Sequence, residues 1–418
     1  MPPKNDSKTV PLTLNENHKQ ILRTIRRREE PGKQSHIAAD AGMPWSTAKA
    51  AIDSLMRAGL VCLNGKKELS VTPEYAFLCG VSVGKKTTVF VVLDFAHKLV
   101  SRDRLNAFVP ADEMMGACGF RPADGNGALW SRETPTASLT EIGDVLMGLC
   151  ELTLRINDCV PVLSFGMCFG DEVDGKRRLI RRSSILKSGP VFNVDLSRLL
   201  DRVMIDRFNE RGIPILFAQN AICALICERT LGCLRGAPAQ HGMVVYMGCG
   251  TGAAFLLNGK VLRDAGARFG HVRVLYGDEA RSLGDPCTVC GSYGCLENAI
   301  RPLFNTGEAN DPEYRSKNGD ALAQWLSRKE NEKERMLFAE YLSRSVLREV
   351  DVLGLEFVVF SGKLATLFPV IERPFRAKAA ELQLKDTLQL LPSGLGDAAA
   401  AMGAALYAYF ERIGEPID

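Results

Sequence analysis

No run of 18 or more apolar residues occurs in the 418-residue chain, although 46% of it is apolar, so no segment reads as a membrane span. The opening residues MPPKNDSKTV lack the apolar stretch of a secretory signal, and the expected location is the cytoplasm. Charge of one sign is scarce as well. With 52 Lys and Arg against 49 Asp and Glu, the net of +3 says little about partners. Disulfides are not expected despite 13 cysteines, because the thiols of an unexported chain stay reduced; clustered cysteines then point to metal.

The small positive excess is unevenly placed. Residues 1–80 carry 12 Lys and Arg against 8 Asp and Glu, whereas the remainder holds 40 against 41. In that first segment NENHKQILRTIRRRE puts Ile21, Leu22 and Ile25 on one helical face, and Pro31-Gly32 stops the helix. Arg26 to Arg28 read as a solvated helix end favoured by the dipole. A second helix fits 34–41. A third spans PWSTAKAAIDSLMRAG, with Ala48, Ala51, Ile52, Leu55 and Met56 inward. Two short apolar strands around Asn64-Gly65 then predict a hairpin, which completes a winged helix-turn-helix. In such a unit the start of the third helix enters the major groove, so Trp45, Ser46, Thr47 and Lys49 are the candidate base and phosphate contacts, with Lys66 and Lys67 on the wing.

A second constellation lies at 270–297, GHVRVLYGDEARSLGDPCTVCGSYGCLE. Cys287 and Cys290 can grip one ion, and Cys295 and His271 complete a tetrahedral set for structural Zn²⁺; Gly291 and Gly294 turn the backbone between them. Ordinary buried thiols are the alternative.

Gly270-His271 followed by C-G-x-x-G-C-x-E at 290–297 resembles the signature of the ROK family of sugar kinases and sugar-responsive repressors. Two residues separate Cys287 from Cys290 where the family has one, and the stretch from His271 to Cys287 is longer. The N-terminal unit resembles the module that ROK repressors carry and free-standing ROK kinases lack. The resemblance implies an α/β fold, an N-terminal winged helix-turn-helix (1–79) followed by a two-lobed actin-like, ribonuclease H-like domain. Its first lobe would be 80–215 plus 396–418, and its second 216–395 with the zinc loop.

The family's kinases carry D-x-G-x-T in their opening hairpin. Here Ser82 takes the place of the metal-holding Asp, while Gly84 remains and Lys85 and Lys86 follow. Where the family has N-D-x-N, aligned on Glu228, this chain has Gln219, Asn220 and Ile222, and an asparagine has no proton affinity near neutral pH to act as general base. Arg268 replaces the Glu of E-x-G-H, so the candidate ligand contacts become Gln219, Asn220, Arg268, His271 and Glu297. Arginine offers only donors and positive charge, which suits an acidic or phosphorylated sugar. The glycine-rich turn at 248–252 reads as a tight strand connection in preference to a phosphate cradle, the loop-rich stretch 103–138 as surface, and the basic run from Lys176 to Arg182 as an exposed edge.

The function these features imply is a DNA-binding transcription regulator, a repressor of carbohydrate-related genes, that is not an enzyme. It would bind a two-fold double-stranded DNA operator as a homodimer or homotetramer and sense a sugar or sugar-phosphate effector. Two rivals stay open: an active ATP-dependent sugar kinase with an appended DNA-binding module, and a protein-docking scaffold with no small ligand.

Overall fold

A computed structural model describes residues 13–304 and 319–415, apart from Glu29, Asp124, Lys187, Ala239, Asp264 and 385–387. The opening residues MPPKNDSKTV lie outside the described residues.

Three helices open the chain, Glu16–Arg27, Gln34–Asp40 and Trp45–Arg57. Asn15 caps the first by accepting the His18 amide, and the His18 side chain answers on the Asn15 amide. Ile21, Leu22, Ile25, Ile37, Ala48, Ile52 and Leu55 form one buried cluster, as the helical spacing predicts, with Met56 packed at its margin. Strands Val61–Leu63 and Leu69–Val71 pair antiparallel and form the wing. The turn differs from the two-residue Asn-Gly form that the sequence suggests. Lys67 amide donates to the Asn64 carbonyl (2.9 Å), and Lys67, at φ 59°, takes the left-handed position. That is a type I turn followed by a bulge residue, because the Asn64 side chain accepts the amides of Lys66 and Glu68 (both 2.9 Å) and fixes a longer loop.

Of the three sheets that follow, the two larger repeat one topology, and the third is a small antiparallel one of Glu172–Asp174, Leu179–Ser183 and Val191–Asp195. In the first, the hairpin Phe77–Val83 and Thr87–Asp94 is extended antiparallel by Leu129–Glu133 and Arg121–Pro122, and parallel by Val162–Phe169 and Ile215–Gln219. In the second, the hairpin Gly242–Met247 and Thr251–Leu257 is extended antiparallel by Lys260–Val261, and parallel by Phe357–Gly362 and Gln389–Pro392. This duplicated actin-like pattern is the expected fold class. Ile215–Gln219 closes the edge of the first sheet, so the predicted start of the second lobe at 216 cuts a strand; the apolar run ILFA gives no sign of which sheet it joins.

The stretch 103–138 is a second departure. It forms helices Arg102–Asn106 and Ala111–Ala117 and two strands of the first sheet, with Trp130 fully buried and its indole nitrogen donating to Asp112 (2.8 Å). These helices are too short for a readable period, and Gly and Pro between them imitate a loop. The basic run is exposed from Lys176 to Arg178, but Arg181 and Arg182 lie on the central strand, Leu179–Ser183, of a small three-stranded sheet rather than on an edge; Arg177 and Arg181 pair with Asp174, and Arg182 stacks over Phe192.

The C-terminal helix Ala399–Ile413 joins the parts. A Cβ at Gly80 would lie 2.0 Å from the Ala401 carbonyl oxygen, one at Gly166 would lie 1.9 Å from that of Ala404, and one at Gly403 would lie 1.8 Å from that of Cys223. Glycine is required at each, and the helix therefore meets the first sheet on one side and helix Asn220–Thr230 on the other at backbone distance.

Candidate ligand cleft and metal centre

His271 ends a single turn, Phe269–His271, that its own amide closes on the Arg268 carbonyl (2.8 Å). Across from it the chain folds back twice. Gly291 amide donates to the Cys287 carbonyl (2.8 Å), and Gly294 carbonyl accepts the amides of Val274 and Leu275 (2.9 and 3.0 Å). Both glycines sit at φ 72°, and a Cβ at Gly294 would lie 2.5 Å from the Leu275 carbonyl oxygen. Asn298 locks the result, accepting the Gly294 amide (3.1 Å) and donating to the Asp285 carbonyl (3.0 Å).

These turns bring one ligand atom each from His271, Cys287, Cys290 and Cys295 within 4.8 Å of one another. His271 Nδ1 is 3.7 Å from Cys287 Sγ and 3.9 Å from Cys295 Sγ. Tetrahedral bonds of about 2.0 to 2.3 Å separate neighbouring ligand atoms by roughly 3.5 to 3.8 Å, so the quartet fits a four-coordinate metal. Cys287, whose spacing departs from the family's, is buried inside the cluster. The contact between the two thiols lowers Cys287 and raises Cys295, so without a metal the pair shares one negative charge, on Cys287.

Beside this centre, Glu297 accepts the Thr251 amide, and burial raises its carboxyl against that bond and the charge of His271. The turn at 248–250 thus joins two strands, and the first amide beyond it already has a protein partner. Gln219 and Asn220 sit where strand Ile215–Gln219 passes into helix Asn220–Thr230, both nearly fully buried. With its nitrogen toward the Ala265 carbonyl (3.3 Å), the Gln219 amide oxygen accepts from Ala267 (3.2 Å), which ties the helix start to the segment leading to Arg268. Asn220 lies against Gly170, and its Oδ1 has no partner; the same holds for the buried Thr251 hydroxyl. The Arg268 side chain is exposed, with no hydrogen bond or ion pair among the described residues. Gln219 and Glu297 therefore meet at the Thr251–Gly252 strand start, against which Gly270, next to His271, also packs.

Asp171 went unnoticed in the sequence. It follows Gly170, accepts Ser183 Oγ (2.5 Å) and the Ser184 amide (3.2 Å), and is raised by burial, with Lys85 among the groups that oppose the shift. An Asp directly after a strand-ending glycine was the available signal. Ser82 is buried in the first strand of its sheet, opposite Val89.

In the winged helix, Trp45 is 51% exposed, Ser46 is exposed and Thr47 partly so. Lys49 pairs with Asp53 one turn on, and Lys66 and Lys67 project from the wing tip.

A sequence profile of the ROK family matches residues 186–410, and the chain belongs to that family. Among solved structures it is similar to a ROK family transcriptional regulator described as a homologue of the E. coli MLC protein. The two share 15% identity over 95% of this chain and 98% of that one, with a TM-score of 0.64. A ROK glucokinase from Streptomyces griseus in complex with glucose and AMPPNP is 17% identical over 80% of this chain and 99% of its own, at TM-score 0.56. A ROK hexokinase from Thermus thermophilus is 20% identical over 80% and 98%, at 0.53. At such identities the likeness is one of fold. No curated protein matches the chain in sequence.

Proposed function

We propose that the protein is a DNA-binding transcription regulator, a repressor of carbohydrate-related genes, whose ROK domain has given up phosphoryl transfer and senses a sugar or sugar derivative. The carrying observation is the pairing of two features in one chain. A winged helix presents Trp45, Ser46 and Thr47 to solvent, and Asn220, which has no proton affinity, occupies the buried start of the helix beside Gly170. Phosphoryl transfer depends on positioned metal and base, and Ser82 and Asn220 supply neither. The regulator structure extends over 95% of the chain where the kinases extend over 80%, which agrees with a winged helix the kinases lack.

In this reading Trp45, Ser46, Thr47 and Lys49 read the major groove, and Lys66 and Lys67 contact phosphate. Lys49 would exchange its exposed partner Asp53 for phosphate at little cost, since exposed pairs of this kind contribute about 0.3–0.5 kcal/mol. Structural Zn²⁺ would be held by His271, Cys287, Cys290 and Cys295, fixing the loop that carries Glu297. The effector would sit among Gln219, Asn220, His271 and Glu297 with Arg268 at the rim. A homodimer or homotetramer in the cytoplasm would present paired recognition helices to a two-fold operator. No described helix is long and apolar enough to cross a membrane, in keeping with that location.

Recovery of genomic fragments by the purified protein at a stated salt concentration tests the reading. A pseudo-palindromic site is expected, with binding weakened about tenfold or more in Lys49→Ala. Sequence-blind, salt-sensitive binding alone would overturn it. ATP-dependent phosphorylation of any common hexose or amino sugar would move the kinase alternative to the front.

A further inference from the structure

The first helix faces two ways. Ile21, Leu22 and Ile25 point into the winged-helix cluster, and Lys19, Arg23 and Arg26, one turn apart, lie along the opposite side against the ROK domain. Apart from Glu16 on the same helix, which pairs with Lys19 (2.7 Å) and Arg23 (4.0 Å), their partners belong to that domain. Lys19 Nζ donates to the Gly414 carbonyl (2.9 Å), and Arg23 Nε lies 2.8 Å from Glu415 Oε1, whose residue is 5% exposed. Arg26 Nη2 donates to the Phe95 carbonyl (3.0 Å) and the Tyr409 hydroxyl (3.1 Å). Its guanidinium carbon is 4.6 Å from the Phe95 ring centre and 5.2 Å from that of Tyr409, in the angle of two rings set at 90°. The helix end predicted to be solvated is in part a docking surface.

Contacts of this kind fix an angle more than they add stability. A planar guanidinium that donates in two directions between perpendicular rings admits one orientation, and a desolvated ion pair offsets much of its attraction by its burial. The base to which the pins attach is itself fixed, since Tyr409 belongs to the C-terminal helix that meets Gly80, Gly166 and Cys223 at backbone distance. Trp45 and Ser46, at the start of the third helix, remain open.

We infer that Arg26, with Arg23 and Lys19, is a positioning residue for DNA recognition: it sets the winged helix at one angle on the C-terminal helix, and that angle fixes the half-site spacing at which two copies bind. The inference rests on the DNA-binding reading above and adds to it a geometric rule that the base-contacting residues cannot supply.

Half-sites are first selected from random DNA with the full-length protein. Affinity is then measured on probes whose half-sites are separated by inserts covering about one helical turn, roughly 10 base pairs. Wild type should prefer one spacing about tenfold over the others, and Arg26→Ala should flatten that preference to about threefold or less while keeping the base preference within each half-site. Arg26→Lys should fail to restore it, because an ammonium lacks the planar fork. Glu415→Gln, which keeps side-chain size, should shift the profile in the same direction, and it carries the test if Arg26→Ala does not fold. An Arg26→Ala protein with the wild-type spacing preference overturns the inference, as does a wild type indifferent to spacing. A wild type that selects no sequence defeats the DNA-binding reading itself, and this inference with it.

Discussion

The two corners of the cleft have fared differently. At the Cys/His corner four ligand atoms converge, held by glycine turns and by Asn298. At the corner formed by Gln219 and Asn220, the strand-to-helix passage is equally well built, but a carboxamide with an unpartnered oxygen stands at its start. Backbone geometry is intact at both; only the atoms differ. A fold can therefore conserve the position of a site while the chemistry at that position changes, and function has to be argued from the side chains.

The largest expected effect tests the Cys/His corner. Chelation, or Cys290→Ser, should reduce bound zinc from about one ion per chain to near zero and lower stability by several kcal/mol, since apparent binding energies of structural zinc reach about 10 kcal/mol or more. Elemental analysis and thermal unfolding read the two together. Zinc content unchanged in the variant would make both corners chemically silent and remove the contrast.

A smaller effect is expected from restoring a carboxylate at the other corner. Asn220→Asp should produce no phosphoryl transfer in a coupled assay, because Ser82 still supplies no metal ligand. It should destabilise the protein by about 1–3 kcal/mol, the cost of a buried group without a partner. Activity appearing in the single variant would mean that this corner is one substitution from function, and the contrast would shrink to a single atom.

The smallest effect concerns the carboxylate already nearby. Burial raises Asp171 above its ordinary 3.8, so its contribution to stability is complete below that value and is lost as pH climbs through the raised one. Asp171→Asn should remove that slope, visible in unfolding midpoints measured just above pH 3.8. An unchanged slope would show that Ser183, Ser184 and Lys85 offset the burial.

Much of this was legible in advance where spacing does the work. Ile21, Leu22 and Ile25 mark a helix by period, and Cys287, Cys290 and Cys295 mark a metal corner by their intervals. What stayed hidden depends on contacts distant in sequence. Nothing about Trp130 or Ile215 reveals the sheet each will join, and three consecutive arginines look alike until the folded chain puts Phe95 and Tyr409 around one of them. Lys67 shows the same limit locally: Asn64-Gly65 announced a turn, but the Asn64 side chain chose which residue would adopt the left-handed conformation.

The last carbonyls of a helix have no partner within it, and those of Arg26 and Arg28 are met by the Arg235 side chain (2.5 and 3.2 Å). Leu234, beside it, is buried in the same cluster as Ile21 and Ile52. The winged helix is thus finished by a segment more than 150 residues beyond its own wing. A chimera that transplants residues 1–79 onto another ROK body would leave those carbonyls and that apolar face uncovered unless the 234–235 pair travels too. Exchange of winged helices between such proteins is accordingly an exchange of several patches of sequence, the 234–235 pair and the Phe95, Tyr409 and Glu415 seat among them, and of the surface where they meet.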